Sequence, residues 1–262
     1  MSAITGIQTI GRKTLTSITG WGKAWIFLGQ ASIQSVNLFK RIGLLFKQVY
    51  EIGYNSLLVI ILIGGFTGAV LAVQGEYTLS KFGATAWTGP MVALALLREL
   101  APVLTALMVI GRAGSAITAE IGIMRITEQI DALHSMAVRP ISYLISPRLV
   151  ATIIAMPLLT AVFSVVGIFG GWLVSSSVLG LSGGTYMQQT ISAVEMVDVY
   201  SGLIKSTVFG LLCGWICCYK GFNCGFGAVG VNKATTQAVV TASVAVLITD
   251  YFLTSVLTRI FL

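Results

Sequence analysis

Apolar residues form five runs, each long enough to cross the roughly 30 Å hydrocarbon core of a bilayer. The runs cover residues 53–73, 91–111, 149–179, 201–219 and 236–260. The third run is the longest and holds Pro157 together with Gly167, Gly170 and Gly171. This composition favours a helix that is kinked, strongly tilted or extended beyond the bilayer. The pattern predicts an all-α integral membrane protein with five transmembrane helices.

The first fifty residues are too polar to span, but their apolar side chains recur every three or four positions. The recurring residues are Ile33, Val36, Phe39, Ile42, Leu45 and Val49, with Lys40, Arg41 and Lys47 between them. This pattern is typical of a helix that lies in the membrane interface, and an amphipathic helix packed on protein is the alternative. We therefore divide the chain into an amino-terminal interfacial segment, residues 1–50, and a membrane domain, residues 51–262.

Basic residues near the ends of the runs predict the orientation. Twelve lie on one side of the predicted membrane: Arg12, Lys13, Lys23, Lys40, Arg41, Lys47, Arg112, Arg125, Arg139, Arg148, Lys220 and Lys233. The other side has Lys81 and Arg259, and the connection 180–200 carries only the acids Glu195 and Asp198. The amino terminus is expected in the cytoplasm and the carboxyl terminus outside.

Composition supports the membrane assignment, because 56% of the residues are hydrophobic and 10% are charged. A soluble domain of this size carries roughly a quarter of its residues charged. The net charge of +7 could suggest nucleic acid. However, the basic residues are spread between apolar blocks instead of clustering on one face, so no nucleic acid is expected.

Four cysteines, Cys213, Cys217, Cys218 and Cys224, fall within twelve positions. A metal site there would want polar partners and usually a histidine, and the single histidine, His134, is about eighty residues away. Small apolar packing is therefore the favoured interpretation, and no metal site is expected.

Four charged residues interrupt the apolar runs: Arg98, Glu99, Lys205 and Asp250. Buried ionisable groups are costly, so they normally face a partner, a cavity or an opposite charge. Two positive and two negative groups in the outer half of the bilayer can form one neutral network. That network is either purely architectural or borders a substrate with a polar head group. Arginine suits a phosphate, because its planar fork donates two hydrogen bonds.

The connection 112–148 carries a short predicted helix on which Ile130 and Leu133 alternate with Glu128, Gln129 and Asp131. It is either a solvated loop helix or a lever that docks on a cytoplasmic partner. The chain has no nucleotide-binding G-x-x-x-x-G-K-[ST] loop and no H-E-x-x-H motif. We therefore expect a non-enzymatic subunit whose energy, if used, comes from another chain.

Four segments together carry a family resemblance: LLRELAPV at 96–103, GRAGSAITAEIGIMRITEQIDAL at 111–133, ISPR at 145–148 and KATT at 233–236. From about residue 30 to its end, the chain closely resembles the MlaE (YrbE) family of permeases. These are the membrane subunits of bacterial ABC transporters that work with MCE-domain proteins.

The resemblance implies a homodimer in the inner membrane of a Gram-negative bacterium. The dimer would move phospholipids between that membrane and the outer membrane and so maintain outer-membrane lipid asymmetry. The implied partners are a cytoplasmic ATPase, which would use ATP and Mg²⁺, a periplasmic ring of MCE-domain proteins and a small STAS-domain protein. No cofactor is implied in this chain. The family fold is an amino-terminal interfacial helix and five membrane helices, with a cytoplasmic coupling helix between the second and third.

The resemblance also assigns residues. The substrate cavity would be formed by Arg98, Glu99, Lys205, Asp250, Leu71, Thr78, Leu79 and Phe82. ATPase coupling would involve Glu120, Arg125, Glu128, Gln129, Asp131 and Leu133. Glu76 and Lys81 depart from the family pattern near the cavity entrance.

Two other functions remain open from the residues. An ion-coupled secondary transporter would also bury acids, although such folds usually show two related halves, and no repeat is visible here. A scaffold that only anchors an MCE ring would not need its charged residues for lipid movement.

Overall fold

The computed structural model describes residues 19–20, 22–35 and 42–261, and these residues form helices joined by short connections. Five helical stretches are long and apolar enough to cross a membrane: Ile42–Ser80, Thr85–Ile126, Ile141–Ser177, Met196–Phe222 and Gly227–Ile260. The predicted count of five is confirmed within the described part of the chain.

The first half contains α1 (22–35), α2 (Ile42–Ser80), α3 (Thr88–Ala95), α4 (Ala101–Val109) and α5 (Ser115–Ile126). The second stretch is continuous but not uniform. It begins with the 3₁₀ turn Thr85–Trp87, and the π-helical turns Leu96–Leu100 and Ile110–Gly114 separate its three α-helical parts.

The second half contains α6 (Gln129–Ser135), α7 (Ser146–Ser177), α8 (Gly183–Ala193), α9 (Met196–Phe222) and α10 (Gly227–Phe261). A π-helical turn, Ile141–Ile145, leads into α7. Helix α7 continues through Pro157. Its 32 residues span about 48 Å at 1.5 Å per residue, so α7 extends beyond the hydrocarbon core.

The predicted interfacial helix falls partly outside the described residues, because Val36, Phe39, Lys40 and Arg41 are not among them. Ile42, Leu45 and Val49 belong instead to the beginning of α2. Helix α2 runs without a break through residue 50, where we divided the chain, and that division stays a prediction.

Helices α2 and α7 form the tightest helix pair, and glycines allow it. A Cβ added at Gly68 would overlap the carbonyl oxygen of Gly167, and one added at Gly64 would lie 3.1 Å from the carbonyl oxygen of Phe163. Gly210 on α9 packs similarly against α7, where an added Cβ would lie 2.7 Å from the carbonyl oxygen of Thr152. These close contacts at glycines join helices inside one protomer.

Helix α10 is the most exposed of the five spanning stretches. Its exposed apolar side chains include Val240, Val244, Leu247 and Tyr251. Since a transmembrane helix needs apolar neighbours on this face, lipid or a second copy of the chain covers it.

Candidate functional site

Lys205 lies at the centre of a cluster formed by the second, fourth and fifth spanning stretches. Its residue surface is 2% exposed, so the ammonium must find its partners within the protein. Nζ donates to the Arg98 carbonyl oxygen at 2.8 Å, to Glu99 Oε2 at 2.6 Å and to Thr254 Oγ1 at 2.7 Å. These three bonds use all three ammonium protons. Asp250 Oδ1 lies 3.3 Å from Nζ, so two carboxylates face the lysine.

A proline explains why a backbone carbonyl is free to accept from Lys205. In a regular α-helix, the amide of residue 102 would donate to the carbonyl of residue 98. Residue 102 is proline and has no amide proton. The π-helical turn Leu96–Leu100 lies at the same place, and such turns often occur at functional sites. The Arg98 carbonyl is thus available to the lysine.

Arg98 itself pairs with Asp198, whose carboxylate accepts a hydrogen bond from Nε. The Asp198 side chain is 1% exposed, and its second oxygen accepts from the Glu195 amide at 3.0 Å in a capping box at the start of α9. A carboxylate held this way fixes the guanidinium. The Arg98 side chain is 43% exposed, and among the described residues no acceptor engages its terminal nitrogens. Arg98 can therefore bind an additional anion.

A small pocket with a volume of about 60 Å³ is lined by five charged residues, namely Arg98, Glu99, Glu195, Asp198 and Lys205. Its other walls include Val197, Ser201, Leu257 and Thr258. That volume holds about two water molecules or part of a polar head group, and it is too small for a whole lipid. Acyl chains bound with this head group must therefore lie outside the pocket.

The structure pairs Lys205 with Glu99 and Asp250, and the Arg98 carbonyl oxygen accepts from the same lysine. It adds Asp198, which pairs with Arg98 and is expected from the sequence in the connection 180–200. Asp198 lies seven residues before Lys205, which puts both on one face of α9. That spacing could have identified it. The apolar run begins only at residue 201, so it does not predict the start of α9 at Met196.

The predicted cavity wall lies elsewhere in the protomer. Leu71, Thr78 and Leu79 belong to the second half of α2, and Phe82 follows that helix and is exposed. None of the four lines the polar pocket. Their role in a cavity stays a prediction.

Two charged residues, Glu76 and Lys81, lie at this end of α2. Lys81 places its ammonium 4.2 Å from the centre of the Tyr77 ring, a cation–π contact that neutralises no charge. Glu76 is half-buried one residue before Tyr77.

The predicted coupling residues lie at the opposite end of the bundle, around the short helix α6. Glu128, Gln129 and Asp131 are exposed, Leu133 is partly buried and Ile130 is fully buried. Arg125 donates to Asp131 Oδ1 at 2.9 Å. Glu128 has a φ of 60°, an unusual value for a residue other than glycine. The region around α6 therefore has a charged surface that is exposed to solvent.

An ion pair links this region to the third spanning stretch. Arg148, at the start of α7, donates from Nη2 to Glu120 Oε2 at 2.9 Å. The Arg148 side chain is 7% exposed and the Glu120 side chain is half-exposed. The pair connects α5 with α7 beside the predicted coupling helix.

The four cysteines are free thiols. Cys213, Cys217 and Cys218 are fully buried within α9, as expected for packing residues. Cys224 follows α9, and its Sγ lies 3.5 Å from the Gly122 carbonyl oxygen. Burial raises the pKa of the Cys224 thiol, and the charge of Arg125 opposes that rise.

Comparison with known proteins finds a permease family model and permease relatives. The family model described as Permease MlaE matches residues 45–256. The "Intermembrane phospholipid transport system permease protein MlaE" of Haemophilus influenzae is 41% identical, over 96% of this chain and 97% of its own. A "Probable ABC transporter permease protein" of Rickettsia bellii is 41% identical, over 97% of this chain and 98% of its own. The chloroplastic "Protein TRIGALACTOSYLDIACYLGLYCEROL 1" of Arabidopsis thaliana is 38% identical, over 80% of this chain and 60% of its own.

Proposed function

The chain belongs to the MlaE permease family, and on that premise we propose that it is the membrane subunit of an ABC transporter that moves phospholipids between the inner and outer membranes. The printed name of the Haemophilus relative supports phospholipid transport. The proposed role is maintenance of outer-membrane lipid asymmetry. The chain itself has no nucleotide-binding loop and acts as a permease, not as an enzyme.

The partial exposure of the Arg98 side chain, next to the buried ion pairs of Lys205, is the observation that supports the substrate assignment. Lys205 forms ion pairs with Glu99 and Asp250. Asp198 holds only Nε of Arg98. The terminal guanidinium nitrogens remain for the phosphate of a lipid head group, which an arginine binds through two parallel hydrogen bonds.

The acyl chains need an apolar chamber, and one protomer offers only a small polar pocket here. We assign the chamber to a homodimer that is open to the periplasmic side, with Leu71, Thr78, Leu79 and Phe82 as part of its wall. The exposed apolar face of α10 supports an assembly of this kind, because it needs cover.

Energy comes in this proposal from a cytoplasmic ATPase that binds ATP and Mg²⁺ and docks on the region of Glu120, Arg125 and α6. The exposed acids of that region suit an oriented contact with a partner. The ion pair between Glu120 and Arg148 supports transmission of movement to α7, because it connects the docking region to a spanning helix. In this proposal the ATPase switches the chamber between two conformations. Lipid moves only if these two conformations differ in lipid affinity.

The remaining partners and the orientation belong to the same proposal. The end that carries α6 faces the cytoplasm, with the amino terminus, and the carboxyl terminus is periplasmic. The division into an amino-terminal interfacial segment, 1–50, and a membrane domain, 51–262, is kept as part of this proposal. A periplasmic ring of MCE-domain proteins receives or delivers the lipid, and a STAS-domain protein binds the ATPase.

The head-group assignment is tested by photo-crosslinking of a phospholipid to the reconstituted complex. Arg98→Ala removes the free guanidinium, and labelling near the pocket should fall about tenfold, the loss expected for a charged hydrogen bond. Arg259→Ala is the matched control, because Arg259 is exposed near the end of α10 and does not line the pocket. Equal labelling of the two variants would move the head group elsewhere.

The coupling assignment is tested separately with the double variant Glu128→Lys and Asp131→Lys. Reversal of these exposed charges should abolish ATP-dependent lipid movement while the permease still inserts in the membrane. Glu51→Lys, on α2 at the same predicted face, is the control and should retain transport. Normal coupling in the double variant would remove α6 from the mechanism.

A further inference from the structure

A second pocket lies between α1, α9 and α10, away from the charge cluster. Its volume is about 560 Å³, within the range of pockets that bind small molecules. Most of the wall is apolar, and Trp25, Trp215, Ile216, Ala245 and Ile248 contribute to it. Water makes few hydrogen bonds with such an apolar wall, so an apolar chain is a more suitable ligand for this pocket.

Specific contacts hold the wall formed by α1 in place. Trp215 Nε1 donates to the Ala24 carbonyl oxygen at 2.9 Å. The rings of Trp25 and Trp215 lie 4.7 Å apart, and Phe27 packs on Tyr219 with ring centres 5.5 Å apart. Because α1 is anchored by both polar and aromatic contacts, the pocket is a built feature of the fold.

The charge at one end of the pocket is positive. Lys220 lines that end, and its Nζ has a long contact of 3.5 Å with Gln237 Oε1. Residues 22–35, 212–222 and 227–249 contain no aspartate or glutamate. Asp250, the next residue of α10, pairs with Lys205 in the other cluster. The Lys220 end of the pocket therefore favours an anion.

The geometry suits an amphiphile that lies along α9. Leu212 and Lys220 are separated by about 12 Å along the helix axis. Lys205 and Lys220 are separated by about 22 Å along the same helix, so the two pockets lie toward opposite ends of the bundle.

We propose that this pocket binds one acyl chain of an anionic phospholipid, with the phosphate on Lys220, at the membrane face opposite the Arg98 pocket. The assignment rests on the proposed function in one respect, namely that the chain handles phospholipids. It adds a second lipid site, on the face where α6 lies. A lipid held there is in position to enter or leave the permease from that leaflet.

The test uses the full-length permease without an ATPase, reconstituted in nanodiscs of phosphatidylethanolamine. The probe is phosphatidylglycerol with a diazirine in one acyl chain, and mass spectrometry locates the labelled peptides. We expect labelling in residues 212–220 and 241–249. Ala245→Trp fills the pocket and should lower labelling about tenfold, whereas Lys220→Gln should lower it about fivefold.

Matched controls separate the pocket from general effects of bulk and charge. Val165→Trp adds bulk at an exposed position on α7, and Lys233→Gln removes a neighbouring lysine that does not line the pocket. Both should label as the wild type does. Equal labelling in Ala245→Trp and Val165→Trp would overturn the site, and equal labelling in the two lysine variants would overturn the role of Lys220.

The experiment also distinguishes a bound lipid from a protein segment in the pocket, and failure of this proposal from failure of the proposed function. Protection of the pocket by a second copy or by residues 1–18, seen as protein crosslinks in place of lipid adducts, would overturn the proposal. Because no ATPase is present, the result does not depend on transport. Loss of transport with this labelling intact would count against the proposed function alone.

Discussion

Lys205 illustrates how a charged side chain is accommodated in an apolar helix bundle. Its ammonium has three hydrogen-bond acceptors and a fourth oxygen nearby, so burial leaves no proton unsatisfied. One of these acceptors exists because Pro102 cannot use it. The same proline that interrupts the helix hydrogen bonds thus provides part of the lysine site.

The sequence predicted which charges must find partners, but not the pairs they form. The high cost of burial identified Arg98, Glu99, Lys205 and Asp250. The pairing of Arg98 with Asp198 depends on where α9 begins, and polar residues at a helix start carry no apolar signal. The start therefore required the structure, although the seven-residue spacing to Lys205 was visible.

Replacement of Lys205 should be costly. Lys205→Met leaves the carboxylates of Glu99 and Asp250 without their cation, and we expect a loss of about 3 kcal/mol or more in unfolding free energy. Lys47→Met is the matched control, because Lys47 pairs with Glu51 at 3.9 Å on the surface, and its loss should change stability by less than about 0.5 kcal/mol. Thermal unfolding in detergent measures both. Similar shifts in the two variants would contradict a structural role for the buried cluster.

At the scale of helices, apolar runs predicted the five spanning stretches but underestimated their lengths. The first run covers residues 53–73, whereas α2 extends from Ile42 to Ser80, about 58 Å at 1.5 Å per residue. A hydropathy pattern reports only the part of a helix within hydrocarbon, because the protruding ends carry polar and aromatic residues. The π-helical turns have no comparable signal, although Pro102 marks one of them.

Close packing of α2 on α7 should depend on individual glycines. Gly68→Ala places a methyl group on the Gly167 carbonyl, so the helices must separate, and we expect a loss of about 3 kcal/mol or more. Gly53→Ala, on the same helix with no atom within 4 Å of the added Cβ, should be neutral or stabilise by about 0.5–1 kcal/mol. Thermal unfolding of the two variants side by side gives the difference. A neutral Gly68→Ala would show that the helices do not pack at this distance.

At the scale of the whole molecule, the protomer separates two features that the family resemblance assigns to one cavity. The charge pocket lies between the second, fourth and fifth spanning stretches, and Leu79 and Phe82 lie at the far end of the first. The apolar pattern of the sequence predicts helices within one protomer, but it does not predict which surfaces of two protomers come into contact. The proposed dimer therefore depends on the exposed face of α10 and on the family.

The orientation predicted from basic residues can be tested with a natural cysteine. Cys224 is the half-exposed cysteine, and the other three are fully buried. A membrane-impermeant maleimide should label inverted inner-membrane vesicles but not right-side-out spheroplasts, and Cys224→Ser should abolish the signal. Labelling of spheroplasts would reverse the proposed topology.

The same reaction has a defined pH dependence. Burial raises the pKa of Cys224, so its reactive thiolate is a smaller fraction at pH 7 than that of an ordinary thiol. Below the pKa, this fraction and the labelling rate should rise about tenfold per pH unit. The rate in inverted vesicles between pH 7 and pH 9 measures this rise. A flat profile over this range would contradict the raised pKa.

We propose that this permease moves phospholipids when a partner ATPase works on its cytoplasmic face. Transfer of a fluorescent phospholipid from proteoliposomes that contain the assembled complex, measured with and without ATP, tests this proposal. We expect ATP-dependent transfer in the wild type, transfer reduced about tenfold in Arg98→Ala, and full transfer in Arg259→Ala. Transfer that persists without the ATPase, or that is unchanged in Arg98→Ala, would contradict it.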